Sequence, residues 1–163
     1  MVLDAGYSHF LMTFFMARLD LDTGLLTFSN AGHNFPLLIN SEGRVKRLLN
    51  VNKRLGDKKD CEFTENSTSL KLGDVLLFYT DGLIENENDK GKVWGESKLR
   101  RFLKKYYHLP VKEMVDQIVQ KAYSFYDHHP LSDDITMVAI QVTKPFPNQL
   151  SLKKAEKSEG IGT

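Results

Sequence analysis

The fold of this chain is decided by the stretch Leu72-Gly-Asp-Val-Leu-Leu-Phe-Tyr-Thr-Asp-Gly-Leu-Ile-Glu85. Its middle, Val75 to Tyr79, is an unbroken apolar and aromatic run, which predicts a strand covered on both faces. The run is followed closely by Asp81, so a carboxylate stands where a buried strand leaves the core, and Gly82 gives the backbone freedom to turn sharply or to take a positive φ. An acid on a rigid strand end can direct oxygen ligands at a hard cation, whereas an Asp-Gly pair on its own favours a simple turn.

A second acidic site, Asp133-Asp134, opens another apolar strand that runs to Val142. Two such strand ends brought together would form a carboxylate cluster, which repels itself unless a proton or a cation neutralises it. Oxygen ligands suit Mg²⁺ or Mn²⁺ rather than Zn²⁺, and carboxylates that bridge two hard cations support phosphoester hydrolysis. Adjacent His128 and His129 cannot share one helix face, so a histidine metal site is not favoured. The residues alone therefore favour a metal site over a pair of turns.

Composition excludes several other classes of function. The chain has 163 residues, which fits one domain with a real core. Its 22 Lys+Arg and 21 Asp+Glu give a net charge of +1, which provides no electrostatic argument for nucleic acid or an anionic membrane. The single cysteine, Cys61, rules out an internal disulfide and favours a reducing compartment. With no apolar run of membrane-spanning length and no leader pattern, we expect a cytoplasmic protein.

The first half of the chain has the pattern of short strands. The turn Asp22-Thr23-Gly24 predicts a hairpin between the apolar segment that follows Phe10 and the strand Leu25–Asn30. Two further strands would continue an antiparallel meander, and a Thr- and Ser-rich strand would lie at an edge. These three predicted strands cover Phe35–Asn40, Arg44–Leu48 and Glu62–Leu70.

Two amphipathic helices are predicted in the second half, after a polar loop at Asn86–Gly91. The apolar residues of the first helix share one face, and those of the second follow the spacing of a core-facing helix that starts at Pro110. The two faces comprise Leu99, Phe102, Leu103 and Tyr106, and then Val111, Met114, Val115, Ile118, Val119 and Ala122. Beyond residue 143 the periodicity is lost, so we expect a domain over 1–143 and a disordered tail over 144–163.

Four segments together resemble one protein family. Their order along the chain, over roughly residues 10–142, is that of the family, and jointly they are specific although each alone is weak. They are Thr13-Phe-Phe-Met-Ala-Arg-Leu-Asp20, Asn30-Ala-Gly-His-Asn34, the stretch Leu72–Glu85 and Asp133-Asp-Ile-Thr136. The chain resembles the PPM-type metal-dependent serine/threonine protein phosphatases, in the bacterial branch of sporulation protein E and the stress-response regulators of sigma factors.

The resemblance implies an α+β fold, a layered α-β-β-α sandwich of two antiparallel sheets with helices outside. It implies that Asp81 and Asp133 are catalytic residues and ligands of a two-ion Mn²⁺ or Mg²⁺ site. Gly82 and Asp134 flank these ligands, and Gly32-His33 matches a supporting loop near the same site. The implied reaction is hydrolysis of phosphoserine or phosphothreonine on a signalling protein, of the anti-sigma factor antagonist type.

One motif of the family is absent from this chain. The upstream Gly-Asp-x-Ser-Gly-His-Gly supplies the aspartate that bridges both metals, and Asp4-Ala-Gly6 does not match it in context or distance. We therefore expect the C-terminal portion of a phosphatase domain whose N-terminal elements are missing. The chain could be a fragment of a larger signalling phosphatase, a second chain could supply the missing elements, or the chain could be a non-catalytic remnant.

These possibilities lead to different functions. Two aspartates hold one cation weakly, and bridging two metals needs a further shared carboxylate. We therefore expect a phosphatase by family whose isolated chain has little or no activity. The alternative is a non-catalytic interaction module of the same fold, which would bind a partner or form a homodimer through the apolar surface that the missing elements leave. A plain Mg²⁺- or Ca²⁺-binding domain is a more distant alternative.

Overall fold

The computed structural model describes residues 10–58 and 60–150, which divide into two compact units. Within the described residues the first unit comprises 10–35, 49–72 without residue 59, and 144–150, and the second comprises 36–48 and 73–143. The strands are β1 Phe14–Leu19, β2 Leu25–Ala31, β3 Leu37–Ile39, β4 Val45–Arg47, β5 Asn66–Ser69, β6 Val75–Tyr79 and β7 Met137–Gln141. The helices are α1 Gly82–Glu85, α2 Glu96–Tyr106 and α3 Val111–Tyr126.

The first unit contains a three-stranded antiparallel sheet in the order β1-β2-β5. The predicted hairpin joins β1 and β2, and its turn is closed by Asp20, whose Oδ1 accepts hydrogen bonds from the amides of Asp22 at 3.0 Å and Thr23 at 2.8 Å. These hydrogen bonds to Thr23 and Asp22 lower the pKa of Asp20. β5 lies at the edge of the sheet, as its Thr- and Ser-rich composition predicts.

The second unit contains a four-stranded antiparallel sheet in the order β4-β3-β6-β7. β6 lies inside the sheet, where Leu77 pairs with Leu37 of β3 and with Ala139 of β7. Four of its five residues are buried, which confirms the prediction of a covered strand from Val75 to Tyr79. The α+β class with two antiparallel sheets is also confirmed.

The core of the second unit forms where α2 and α3 pack against this sheet. The predicted apolar faces are confirmed, because Leu99, Leu103, Met114 and Ile118 are all fully buried in one cluster with Leu77. Full burial of such a side chain stabilises the fold by about 1.5–3 kcal/mol. In the described ranges, no helix is long and apolar enough to cross a membrane.

The predicted meander is wrong. β2 pairs with β5 rather than with β3, and β3 belongs to the other sheet, where it pairs with β4 and β6. The turn between Ala31 and Leu37 therefore leaves one sheet instead of forming a hairpin. Short strands of similar composition carry no signal for long-range pairing, since the register is set by contacts that are distant in sequence.

Two further expectations are corrected at the C-terminal end. The apolar strand predicted from Asp133 to Val142 is shorter, since β7 covers Met137–Gln141, and it lies at the edge of its sheet, where Val138 and Ile140 are 50% and 45% exposed. The predicted disordered tail is wrong for residues 144–150, because Phe146 is only 7% exposed and Gln149 donates to the carbonyls of Thr23 and Leu70. Burial of Phe146 orders a segment whose sequence has neither helical nor strand periodicity. Residues 151–163 and 1–9, the latter including Asp4-Ala-Gly6, lie outside the described residues.

Candidate active site

Asp81 follows β6 and Asp133 precedes β7, and these two strands are paired side by side. The β6–β7 register ends with Tyr79 opposite Met137, and the ladder continues one step further through Thr80. The Thr80 amide donates to the Thr136 carbonyl at 3.1 Å, and the Thr136 amide donates to Thr80 Oγ1 at 2.9 Å. The antiparallel pairing therefore brings the C-terminal end of β6 and the N-terminal end of β7 together at the same end of the sheet.

Gly82 lies directly against the backbone of the second acidic pair. A Cβ at position 82 would be 2.3 Å from the Asp134 carbonyl oxygen and 3.0 Å from that of Asp133. Gly82 does not have a positive φ, so of the two expected roles of this glycine, a sharp turn or a positive φ, the second is wrong. The site needs glycine here because any side chain would push the two loops apart. The Thr80 hydroxyl adds a hydrogen bond to the Asp134 carbonyl at 3.1 Å.

The carboxylates of Asp81 and Asp133 are each bound by the next residue of the chain. Asp81 is the N-cap of α1, and its Oδ1 accepts from the Gly82 amide at 3.1 Å. Asp133 Oδ1 accepts from the Asp134 amide at 2.8 Å. Both aspartates are exposed. These local hydrogen bonds fix the orientation of each carboxylate while both remain accessible to a ligand from solvent.

Asn86 is a residue of this site that the sequence interpretation missed. It begins the segment predicted as a polar loop, yet it is only 1% exposed. Its Nδ2 donates to the carbonyls of Gly82 at 2.7 Å and Asp133 at 3.1 Å, while its Oδ1 accepts from the amide and the hydroxyl of Ser132 at 2.7 and 2.9 Å. No sequence signal marks these bonds, because the partners in the second loop lie 46 and 47 residues away.

Helix α1 is held from its other side by Tyr126, the last residue of α3. The Tyr126 hydroxyl donates to the Leu83 carbonyl at 2.5 Å, and the ring is 1% exposed. Burial raises the pKa of Tyr126 to about 12, which keeps the phenol protonated and able to donate. The turn that begins at Asp81 is thus attached to the helical layer of the second unit.

Gly32 and His33 form a separate turn in the first unit. The buried Asn30 closes it, since its Oδ1 accepts from the His33 amide and its Nδ2 donates to the His33 carbonyl, both at 2.8 Å. His33 Nδ1 lies 3.0 Å from the Asn34 carbonyl. Gly32 has a φ of +72°, and a Cβ there would lie 2.5 Å from Cγ of Arg54. The expected supporting role of Gly32 and His33 stays a prediction.

The donor set suits a hard cation but does not complete a two-metal centre. Asp81 and Asp133 provide carboxylate oxygens, the ligand type of Mg²⁺ and Mn²⁺. Among residues 10–58 and 60–150 there is no group of three or more His, Cys, Asp or Glu side chains that could hold a metal. The assignment of Asp81 and Asp133 as ligands of one metal site stays a prediction.

The described residues have the fold of PP2C-type domains, as comparison with solved structures shows. The fold is similar to that of the SiaA-PP2C domain of Pseudomonas aeruginosa, with a TM-score of 0.75 and 19% identity, over 86% of this chain and 56% of that one. Residues 2–143 match the family Stage II sporulation protein E (SpoIIE). The chain belongs to this family, and the resemblance drawn from its motifs is confirmed.

Two curated relatives give the extent of the similarity. Protein IcfG of Synechocystis is 30% identical over 128 residues, which are 78% of this chain and 20% of that protein. Phosphoserine phosphatase RsbU of Bacillus subtilis is 22% identical over 131 residues, which are 80% of this chain and 38% of that protein. The chain therefore spans well under two thirds of the relatives that it matches.

Proposed function

We propose that this chain is the C-terminal portion of a serine/threonine protein phosphatase domain that acts in bacterial signal transduction. Asp81 and Asp133 are its catalytic metal ligands, and Mn²⁺ or Mg²⁺ is its cofactor. The observation that supports this most directly is the contact between Gly82 and the Asp133–Asp134 backbone. That contact brings together the backbones of two acidic loops that are about fifty residues apart in the sequence, and a simple turn at Asp81-Gly82 would not require it.

The bound cations would supply a hydroxide near neutral pH and would stabilise charge on the phosphoryl oxygens. The residues of this chain hold and orient the ligands for that chemistry. Asp81 is fixed at the start of α1 and Asp133 at the entry to β7, each by a hydrogen bond to its Oδ1. Ligand carboxylates on rigid elements need little reorganisation when a cation binds.

The substrate is, in our proposal, a phosphoserine or phosphothreonine of a cytoplasmic signalling protein, of the anti-sigma factor antagonist type. Membership of the SpoIIE family supports this class, and so does the similarity to a relative whose name is phosphoserine phosphatase RsbU. The described residues form no group of three or more His, Cys, Asp or Glu side chains that could hold a metal, and bridging two ions needs a further shared carboxylate. We therefore expect little or no turnover from the isolated chain.

A second function, that of a non-catalytic interaction module, is favoured by the surface of β1. Phe14 and Met16 are 46% and 55% exposed on the same side of this strand. With Ala31, Leu55 and Phe63 they line a groove of about 280 Å³ within the first unit. Apolar residues clustered in this way on a surface commonly mark a contact with another protein.

Hydrolysis of a phosphoserine peptide in the presence of Mn²⁺ tests the proposed phosphatase function. We expect at most slow release of phosphate, abolished in Asp81→Asn and Asp133→Asn. Asp116→Asn is the matched control, because it removes the same charge from an exposed position on α3 of the same unit. Turnover that survives the loss of either strand-end aspartate would contradict the assignment.

A further inference from the structure

Asn86 joins the two acidic loops through all the hydrogen-bonding capacity of its side-chain amide. Each of its two donated bonds ends on a backbone carbonyl, one at Gly82 and one at Asp133. Both bonds to its Oδ1 come from Ser132. This pattern fixes the orientation of the amide, because a flipped amide would put its NH₂ against the Ser132 amide and its oxygen against two carbonyls. With 1% exposure, water cannot replace these partners.

We propose that Asn86 is a positioning residue for the metal ligands of the proposed phosphatase site. Its amide binds the residue after Asp81 on one side and Asp133 itself on the other, so it sets the separation of the two loops that carry the carboxylates. The inference rests on the proposed function, since it requires that both aspartates bind the same cation centre. Groups that orient metal ligands typically change metal affinity by about 10- to 100-fold when they are removed.

A purely structural role would be that of a helix C-cap. Asn86 is the C-cap of α1, and its bond to the Gly82 carbonyl four residues earlier is a capping bond. Capping does not account for the bond to Asp133 or for the two bonds from Ser132, which cross to a different loop. The two roles can be separated, because a serine at position 86 can still cap the helix but is too short to span to the second loop.

The test compares Asn86→Ala and Asn86→Ser with Ser132→Ala and with the core variant Ile118→Ala in α3. Mn²⁺ affinity is measured by titration calorimetry, exchange of the Ser132 amide by hydrogen–deuterium exchange, and Tm by calorimetry. Both Asn86 variants are expected to bind Mn²⁺ at least about tenfold more weakly and to exchange the Ser132 amide about tenfold faster or more. Ser132→Ala keeps the backbone donor and is expected to stay within about threefold of the wild-type affinity. Ile118→Ala is expected to lower Tm at least as much as the Asn86 variants do, and to leave the Mn²⁺ affinity unchanged.

The outcomes separate this inference from the proposed function. If the wild-type chain binds Mn²⁺ and both Asn86 variants bind it equally well, the positioning role is wrong and the proposed metal site stands. If Asn86→Ser retains the affinity that Asn86→Ala loses, the residue is only a helix cap and the inference is again wrong. If the wild-type chain itself binds no Mn²⁺, the proposed metal site is wrong and the positioning role is overturned with it.

Discussion

Gly82 and Asp134 are in backbone contact, so close that a Cβ at position 82 would lie 2.3 Å from the Asp134 carbonyl oxygen. This relationship joins the Asp81 turn to the loop that precedes β7. It also explains why position 82 is a glycine: there is no room for a side chain, and the backbone there does not have a positive φ that would require glycine. The consequences for stability and binding can be measured separately.

Replacing Gly82 with alanine should destabilise the protein. Alanine is about 1 kcal/mol better than glycine inside a helix, so helix propensity alone predicts a gain for this first residue of α1. The contact with Asp134 predicts the opposite, a loss of about 1–3 kcal/mol from overpacking against backbone that cannot move freely. Urea unfolding of Gly82→Ala measures the sign, and a neutral or stabilising result would show that the two loops are not in this contact.

Tyr126→Phe should weaken the attachment of α1 to α3. The substitution removes the hydroxyl that donates to the Leu83 carbonyl and leaves that buried acceptor without this partner, at a cost of about 1–3 kcal/mol. Thermal or chemical unfolding at neutral pH gives the difference. A variant as stable as the wild type would mean that the Leu83 carbonyl finds another donor.

The pH dependence of that difference follows from the raised pKa. Burial raises the pKa of Tyr126 to about 12, whereas a tyrosine in an unfolded chain titrates near about 10. The protonated phenol is favoured by the folded state, so its contribution to the free energy of unfolding is complete below pH about 10 and falls as the pH rises towards about 12. The stability difference between wild type and Tyr126→Phe should therefore shrink across this interval. A difference that stays constant would contradict the assigned donor role.

Asn30→Ala should loosen the Gly32–His33 turn in the first unit. The side chain is 1% exposed and makes both of its hydrogen bonds to the backbone of His33, so its loss should cost about 1–3 kcal/mol and speed amide exchange at His33. Asn66→Ala is the control, because it removes an exposed amide that donates to the Leu49 carbonyl. Equal effects from the two variants would show that burial of the Asn30 amide has no special role.

The interaction-module alternative predicts self-association through the groove on β1. The substitutions Phe14→Lys and Met16→Lys should abolish concentration-dependent association in sedimentation velocity, because each places a charge in an apolar contact. Leu21→Lys is the control, since Leu21 is 72% exposed in the β1–β2 hairpin turn of the same unit. A wild-type chain that remains monomeric at high concentration would weaken the homodimer form of this alternative.

The parts of the fold that could be predicted from the sequence are those with local signals. Apolar continuity marked β6, helical spacing marked α2 and α3, and a turn sequence marked the β1–β2 hairpin. The pairing of β2 with β5 and the order of Phe146 could not be predicted, because both depend on contacts between residues far apart in the chain.

The candidate site likewise contains residues that could be predicted from the sequence and residues that could not. Asp81 and Asp133 could be selected because each carboxylate lies near the end of an apolar run. Asn86 could not, since an asparagine in a polar stretch reads as a surface residue until its partners 46 and 47 residues away are known. The need for glycine at position 82 could not be predicted either, because only the folded backbone shows which atoms a side chain there would contact.

The most direct test of the central claim is a calorimetric titration of Mn²⁺ into the wild-type chain, Asp81→Asn, Asp133→Asn and the control Asp116→Asn. The account predicts that the wild type and Asp116→Asn bind with the same affinity. It predicts that each strand-end variant binds at least about tenfold more weakly, because both aspartates contribute to one site. Absence of Mn²⁺ binding to the wild type, or binding that neither Asp81→Asn nor Asp133→Asn changes, would contradict it.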